Sequence, residues 1–216
     1  MTKLIHSIFS LIQEIFFHRI GTTWRASSFK RIMDIEFSIF EKVAVHFDIL
    51  AELYINSYDE IISTEIQQTE ITKNDKVLVI GCGSIPVTAI LLHQKTHAAI
   101  TTIDIDIKSV KNAQYYLNRT YQQNNIKIHL ADGLSFPLSE FTIIFMLYGI
   151  HQPQQLLQRL AQDLPPNTKL ILRTTTDTSG KPLGGKIRIP PNLTLTQHNQ
   201  TTSLGAVDSY LYTKKL

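Results

Sequence analysis

From Lys76 to Arg173 the chain alternates short, unbroken apolar runs with longer stretches whose apolar residues recur every three or four positions. A strand buried on both faces has no polar side to show, so it reads as a continuous β-branched and aliphatic run. Such runs predict strands at Val77–Ile80, Ala99–Ile103, Ile126–Leu130, Thr142–Leu147 and Lys169–Arg173. The stretches between them predict helices at Val87–His93, Ser109–Gln122 and Gln154–Asp163. Single helices of this size between short strands make parallel βαβ units with right-handed crossovers. After Gly180 the pattern changes to Gly, Pro and Thr with two alternating runs, which suit an antiparallel edge hairpin.

Before Lys76 the pattern is helical throughout. FKRIMDIEFSIFEKVAVHFDILAEL carries its apolar residues at helical steps with no turn dipeptide, SYDEIISTEIQQTEI continues the habit, and residues 1–70 contain one glycine, Gly21, and no proline. The expected organisation is an N-terminal helical region over 1–70 and a Rossmann-like α/β domain over 71–216, a doubly wound sheet with a reversed edge strand. In such sheets ligands sit beyond the carboxyl ends of the strands.

Composition narrows this picture in three ways. At 216 residues, 43% hydrophobic and 18% charged, the chain can build one full core and is not disordered. The net charge is +3 and the basic residues are scattered but for short pairs such as Lys214-Lys215, so no nucleic-acid footprint is expected. One cysteine forbids an internal disulfide, no HExxH spacing occurs among the eight histidines, and the expectation is a reducing, cytoplasmic setting with no metal. The apolar N-terminus is interrupted by His6, Gln13, Glu14, His18 and Arg19, too often to span a bilayer. Ile5, Ile8, Phe9, Ile12, Ile15 and Phe16 give it one apolar face, read as packing on the protein, with a membrane-surface helix the alternative. Trp24 and the Phe16-Phe17 pair read as core or lid packing.

The candidate chemistry lies at the strand ends. VLVIGCGSIPVTAILL is a strand, a tight turn on Gly81-Cys82-Gly83, and a helix that starts behind Pro86. Glycine lets a ligand approach the main chain, and proline at a first helical turn gives up an N–H that has no partner there. Cys82 is small enough for the turn. About 20 residues on, Asp104 ends the second predicted strand, where a carboxylate can accept ribose hydroxyls. Its other reading is a helix N-cap, a role that Asp106 fits better, with Ser109 also eligible. Asp132, in HLADG, either accepts from an adenine amino group or caps its loop; Ile105 and Gly133 flank these acids. A pyrophosphate-binding turn wants a third glycine where this chain has Pro86. A phosphate-free, positively charged cosubstrate fits better, namely S-adenosylmethionine, with Gly81, Cys82, Gly83, Pro86, Asp104, Ile105, Asp132 and Gly133 as its binding residues. Tyr148 and His151 follow the fourth strand, where acceptor contacts are expected, though His151 precedes Gln152-Pro153 and is also placed to cap a helix. Arg173 ends the fifth strand as a carboxylate clamp or a structural ion pair.

The turn GCGSIPVT resembles that of the nicotianamine synthase family of class I S-adenosylmethionine-dependent transferases, and Val79-Ile80 stands where ordinary class I methyltransferases carry an acid. YINSYDEIISTEI resembles the family's Asn-Tyr-acid helix, FTIIFMLYGI its fourth strand, LILRTTTDTSG its Leu-Arg segment and GAVDSYLYTKK its closing strand; the resemblance covers roughly residues 50–216. It implies the class I methyltransferase fold with the helical region as a lid. It further implies transfer of the aminocarboxypropyl arm to the amine of a small amino-acid-like acceptor, giving a metallophore-type product. Glu65 would take the amine proton, Tyr58 would position it, and Asn56 would meet the acceptor; the bland reading makes Glu65 a solvated face residue like Glu60 and Glu70. The implied partners are small molecules, with no nucleic acid and no membrane, on a monomer or homodimer. The sequence departs from the family at Ser84, usually proline, at Asp208, usually Asn, and near Thr96, where some relatives carry a tyrosine. Methyl transfer to a small molecule is the competing reading, and a nucleoside-binding module without turnover a third.

Overall fold

In the computed structural model, which describes residues 41–42, 44–121, 125–175, 187–201 and 207–215, the apolar runs pair into one sheet. Its strands are β1 (Lys76–Ile80), β2 (Ala99–Asp104), β3 (Ile126–Leu130), β4 (Ile143–Met146), β5 (Lys169–Thr175), β6 (Leu193–Thr201) and β7 (Val207–Lys214). They lie in the order β3-β2-β1-β4-β5-β7-β6. The first five are parallel, β7 runs antiparallel to β5, and β6 pairs antiparallel with β7 at the edge. This is the Rossmann-like class I methyltransferase arrangement. The N-terminal amphipathic helix, Trp24 and the Phe16-Phe17 pair lie outside the described residues.

Burial explains the unbroken runs. Val77 and Val79 of β1 pack on one face of the sheet, Leu78 and Ile80 on the other, so the two-residue period of the strand is apolar on both sides. The first face is covered by α1 (Asp48–Ser57), α2 (Asp59–Thr69) and α3 (Val87–Thr96), through Ile55, Ile61, Ile62, Ile90 and Leu92. Tyr116 and Leu117 of α4 (Ile107–Thr120) join that core. Leu156, Leu157 and Leu160 of α5 (Pro153–Asp163) cover the second face. Residues 44–71 therefore share one core with the sheet. Among the described residues, no helix is long and apolar enough to cross a membrane.

Local chemistry sets the ends. Asp106 caps α4, its carboxylate accepting from the Lys108 N–H at 2.9 Å and the Ser109 hydroxyl at 3.1 Å, so the helix starts two residues before the expected Ser109. α3 runs past His93 to Thr96, where His97 turns left-handed at φ 58° and returns its N–H to the His93 carbonyl. β4 is shorter than expected by a residue at each end, yet Thr142 and Leu147 still donate to the Lys76 and Ile80 carbonyls of β1. One expectation fails. FKRIMDIEFSIFEKVAVHFDILAEL is not one uninterrupted helix, because the chain turns at Val45–His46 and Phe47 is extended at φ −127°. The turn lets Glu41 meet Tyr54, 13 residues on. No glycine or proline marks it.

One polar contact ties the helical layer to the sheet. Arg173 of β5 is 2% exposed and Glu65 of α2 is fully buried. The guanidinium donates from Nε to Glu65 Oε1 at 2.8 Å, from Nη2 to Oε2 at 2.5 Å, and from Nη1 to the Thr88 hydroxyl of α3 at 3.0 Å. Ser209, opposite Arg173 in the β5–β7 ladder, adds a hydroxyl to Glu65 Oε1 at 2.7 Å. Burial works against the guanidinium charge, but the Glu65 carboxylate outweighs it and Arg173 is held above its ordinary pKa.

A buried pair broken on one side leaves an uncompensated charge, at a cost of about 3–5 kcal/mol. Arg173→Met is expected to lose about that much in urea unfolding, and the double variant Arg173→Met/Glu65→Gln to lose clearly less than the sum of its parts. Additive losses would mean the two groups do not depend on each other.

Candidate active site

The sheet order sets a line of side chains at the carboxyl ends of the strands. Asp132 and Gly133 follow β3, Asp104 ends β2, Gly81–Gly83 follow β1 and Tyr148 follows β4. Three strand spacings separate the ends of this line, about 14 Å. A cavity of about 310 Å³ lies along it.

The glycine turn is built by backbone geometry. Gly81 (φ +93°) and Gly83 (φ +64°) occupy the left-handed region, and the N–H groups of Gly81 and Cys82 both donate to the Ile103 carbonyl at the end of β2. Pro86 then precedes α3, supplying its carbonyl to Ile90 without an N–H left over. Asp104 joins the two strand ends: Oδ2 accepts from Gly83 N–H at 3.0 Å and Oδ1 from Asp106 N–H at 2.9 Å. Asp132 is exposed and accepts from Leu134 N–H at 2.8 Å. Its loop is held from below by Arg159 of α5, which donates to the carbonyls of Gly133 and Phe136.

The opposite wall was not foreseen. Glu41 reaches over the glycine turn, its Oε2 accepting the Ser84 N–H at 2.8 Å and its Oε1 the Tyr54 hydroxyl at 2.7 Å. Tyr54 and Tyr58 hydroxyls lie 3.2 Å apart, and Tyr58 is hydrogen-bonded in turn to Tyr148. Burial pushes the Glu41 carboxyl up to about 7, against the opposing pull of its Tyr54 and Ser84 hydrogen bonds and with a further push from Asp104. The same burial raises the phenols of Tyr54, Tyr58 and Tyr148 above their ordinary range. Glu41 is the one member of this wall poised to exchange a proton near neutrality.

Of the residues picked from sequence, Gly81, Cys82, Gly83, Asp104, Ile105, Asp132 and Gly133 line the cavity, as do Tyr58, Tyr148, His151 and Arg173. Pro86 stands behind the turn rather than on the cavity wall. Asn56 is exposed on α1 and does not reach the cavity, so its placement as an acceptor contact has no geometric support. Glu65 is neither a solvated face residue nor a cavity base: it is buried and occupied by Arg173 and Ser209. Arg173 therefore already grips a carboxylate of its own chain. Cys82 has its thiol pushed up by burial and donates to the Gly83 carbonyl at 3.3 Å, which makes it a filler of the turn. His93 of α3 and His97 at its C-cap stand four apart, but His93 is buried with Nδ1 3.0 Å from the Ala98 carbonyl. Among the described residues no group of three or more His, Cys, Asp or Glu could hold a metal ion. Glu41 and Tyr54 escaped the sequence reading. The available signal was a single carboxylate inside the apolar stretch IFEKVAVHF, with nothing to tell it from any other helical glutamate.

Three comparisons bear on this geometry. The family model described as methyltransferase small domain matches residues 47–177. No curated protein matches significantly. Among solved structures, a glutamate-to-glutamine variant of MtNAS, a nicotianamine synthase, in complex with S-adenosylmethionine superposes with a TM-score of 0.80 at 13% identity, covering 100% of this chain and 92% of that one. MtNAS in complex with MTA and tNA gives 0.78 at 14% identity, with 100% and 90% covered. An RNA methyltransferase from Salinibacter ruber in complex with S-adenosyl-L-homocysteine gives 0.57 at 15%, with 72% and 91% covered.

Two outcomes follow from the site. A methyl group at Gly83 would need a left-handed backbone and would fall on the Glu41 carboxylate; Gly83→Ala is expected to lower the melting temperature and weaken S-adenosylmethionine binding by more than ~10-fold in calorimetry. The Glu41 carboxyl binds its proton more tightly when folded, so the folded state gives up stability as pH rises from the ordinary 4.5 through about 7. That loss is about 3 kcal/mol, and urea unfolding at the two ends of the window should show it in the parent protein and not in Glu41→Gln.

Proposed function

The chain belongs to the methyltransferase small-domain family, and we propose that it is an S-adenosylmethionine-dependent transferase moving the aminocarboxypropyl arm to the amine of a small, amino-acid-like acceptor. The observation that carries this reading is the position of Glu41. Adenine and ribose of the cosubstrate belong with Asp132 and Asp104, which leaves the methionine arm at the glycine turn, directly beneath the Glu41 carboxylate. A nucleophile whose proton ends on Glu41, directly or through the tyrosines hydrogen-bonded to it, therefore works from the arm's side of the cavity rather than the methyl group's.

Each residue then has a task. Gly81, Cys82 and Gly83 leave room for the arm, Asp104 takes the ribose and Asp132 the adenine, with Ile105 and Gly133 as its apolar bed. A sulfonium carries three electrophilic carbons with the same leaving group, so the choice among them is made by alignment, and holding the acceptor in line supplies much of the rate. Tyr58 and Tyr148 form the acceptor side, and His151 stands at its exposed rim. Glu41, with a pKa near 7, replaces Glu65 as the base for the acceptor amine. Glu65 and Arg173 hold the wall in place from behind. The nicotianamine synthase likeness supports the same reaction; the RNA methyltransferase likeness supports only the fold.

Incubation with S-adenosylmethionine and pooled amino acids, with nucleosides separated by mass, tests the reading: methylthioadenosine is expected, and S-adenosylhomocysteine would mean methyl transfer instead. Turnover should rise with pH through about 7 as Glu41 ionises. Glu41→Gln is expected to lose about 10²- to 10⁴-fold in kcat and that pH limb, while still binding S-adenosylmethionine.

A further inference from the structure

The four polar groups on the helical side of the cavity form an ordered chain, not a loose cluster. Glu41 Oε1 accepts the Tyr54 proton at 2.7 Å. A phenol has one proton to give, so in the 3.2 Å contact between Tyr54 and Tyr58 the donor must be Tyr58. By the same count Tyr148 is the donor to Tyr58. Every proton in the chain therefore points toward Glu41, from the end of β4 across α1 to the glycine turn. All four residues line the cavity.

We propose that Tyr148, Tyr58 and Tyr54 relay the proton of the acceptor amine to Glu41. The inference rests on the transferase reading above and extends it by giving the proton a path. When the amine nitrogen attacks the sulfonium carbon, the C–S bond breaks with its electron pair going to sulfur, which leaves as a neutral thioether. The new C–N bond leaves nitrogen positively charged. Its proton passes to the Tyr148 oxygen while the Tyr148 proton moves to Tyr58, the Tyr58 proton to Tyr54, and the Tyr54 proton to Glu41. Each phenol ends with one proton, every hydrogen bond is reversed, and Glu41 is neutral. The chain resets when Glu41 loses that proton.

The surroundings fit this division of labour. Phenols raised by burial do not hold the charge of a lost proton, so they pass it on, and the carboxyl at about 7 is where it comes to rest. Among the described residues, two charged groups face the chain. Arg173, packed behind the wall from β5, lowers the cost of transient negative charge on Tyr58 and Tyr148; Asp104 from β2 raises Glu41, whose charge in turn raises Cys82. Tyr54 acts through its neighbours, so it is a positioning and relay residue.

Tyr54→Phe tests this, because it removes the hydroxyl next to Glu41 and keeps the buried ring. Single turnovers with S-adenosylmethionine and pooled amino acids, across pH values on both sides of neutrality, are expected to slow by about 10²-fold and to lose the rise near 7, with S-adenosylmethionine binding unchanged. An unchanged rate with the pH limb intact would overturn the relay and leave Glu41 taking the proton directly. Should the variant fail to fold, a proton inventory of the parent protein in mixed light and heavy water decides: a curve bowed below the straight line is expected, and a linear plot, meaning one proton in flight, would overturn it. The nucleoside released reports separately on the reaction. S-adenosylhomocysteine would withdraw the aminocarboxypropyl assignment, yet the Tyr54→Phe comparison on that same turnover would still decide the relay.

Discussion

A guanidinium without exposed surface stays charged only where the chain surrounds it with acceptors, and Arg173 draws them from two directions at once. Glu65 comes from α2 and Thr88 from α3, while Ser209 of β7 completes the Glu65 shell. Such a pair returns little net stability against the desolvation of both ions, and a well-packed apolar pair would serve the core as well. What it supplies here is position. The contact joins the helical layer to the fifth strand and to the reversed strand beside it, at one register of the β5–β7 ladder. Tyr58 stands one helical turn before Ile61 and Ile62, the residues that seat α2 on the sheet, so the tyrosine wall inherits its placement from this pair.

Two glutamates, Glu65 fully buried and Glu41 half-buried, stand on the same side of the sheet with opposite surroundings. Glu65 meets a cation in bidentate geometry and a hydroxyl. Among the described residues Glu41 meets only neutral donors and has Asp104 nearby, so desolvation dominates and its proton is held to about 7. Carboxyls whose environments separate them in this way take different roles. The one with a permanent counter-charge is fixed in its ionised geometry and suits a scaffold. The one without it can exchange a proton at working pH and suits chemistry.

Much of the sheet was legible because burial on both faces writes itself as continuous apolar runs, and helix starts because Asp106 and Pro86 cap by local rules. The geometry of the glycine turn and of Asp104 beside it was equally readable, since glycines with left-handed angles and an acid one strand later are local signatures. The wall around Glu41 was not. Glu41 gains its character from a turn at Val45–His46 that no glycine or proline announces, and from contact with Ser84, 43 residues away. Glu65 was drawn toward catalysis by its spacing from Tyr58, but spacing along a helix cannot say which face meets Arg173, 108 residues on. Charge environment is a property of tertiary contact, and the sequence order of acids carries almost none of it.

Ser84 shows how a departure from a motif can carry meaning. The nicotianamine synthase turn, which GCGSIPVT otherwise resembles, usually has proline at this position, and a proline has no N–H to donate. Here that N–H is the donor to Glu41 Oε2, and it is one of the hydrogen bonds that pull the carboxyl down against burial. Without it, desolvation would act on Glu41 with one opposing hydrogen bond fewer, and the carboxyl would hold its proton further up. A base must be ionised to accept, so in the proposed reaction the serine would widen the pH range open to Glu41. The same bond also fixes the carboxylate over Gly83, close enough that a side chain there would collide with it. The serine, the glycine and the glutamate thus form one unit, in which the turn proposed to admit the cosubstrate also tunes the carboxyl proposed to act as the base.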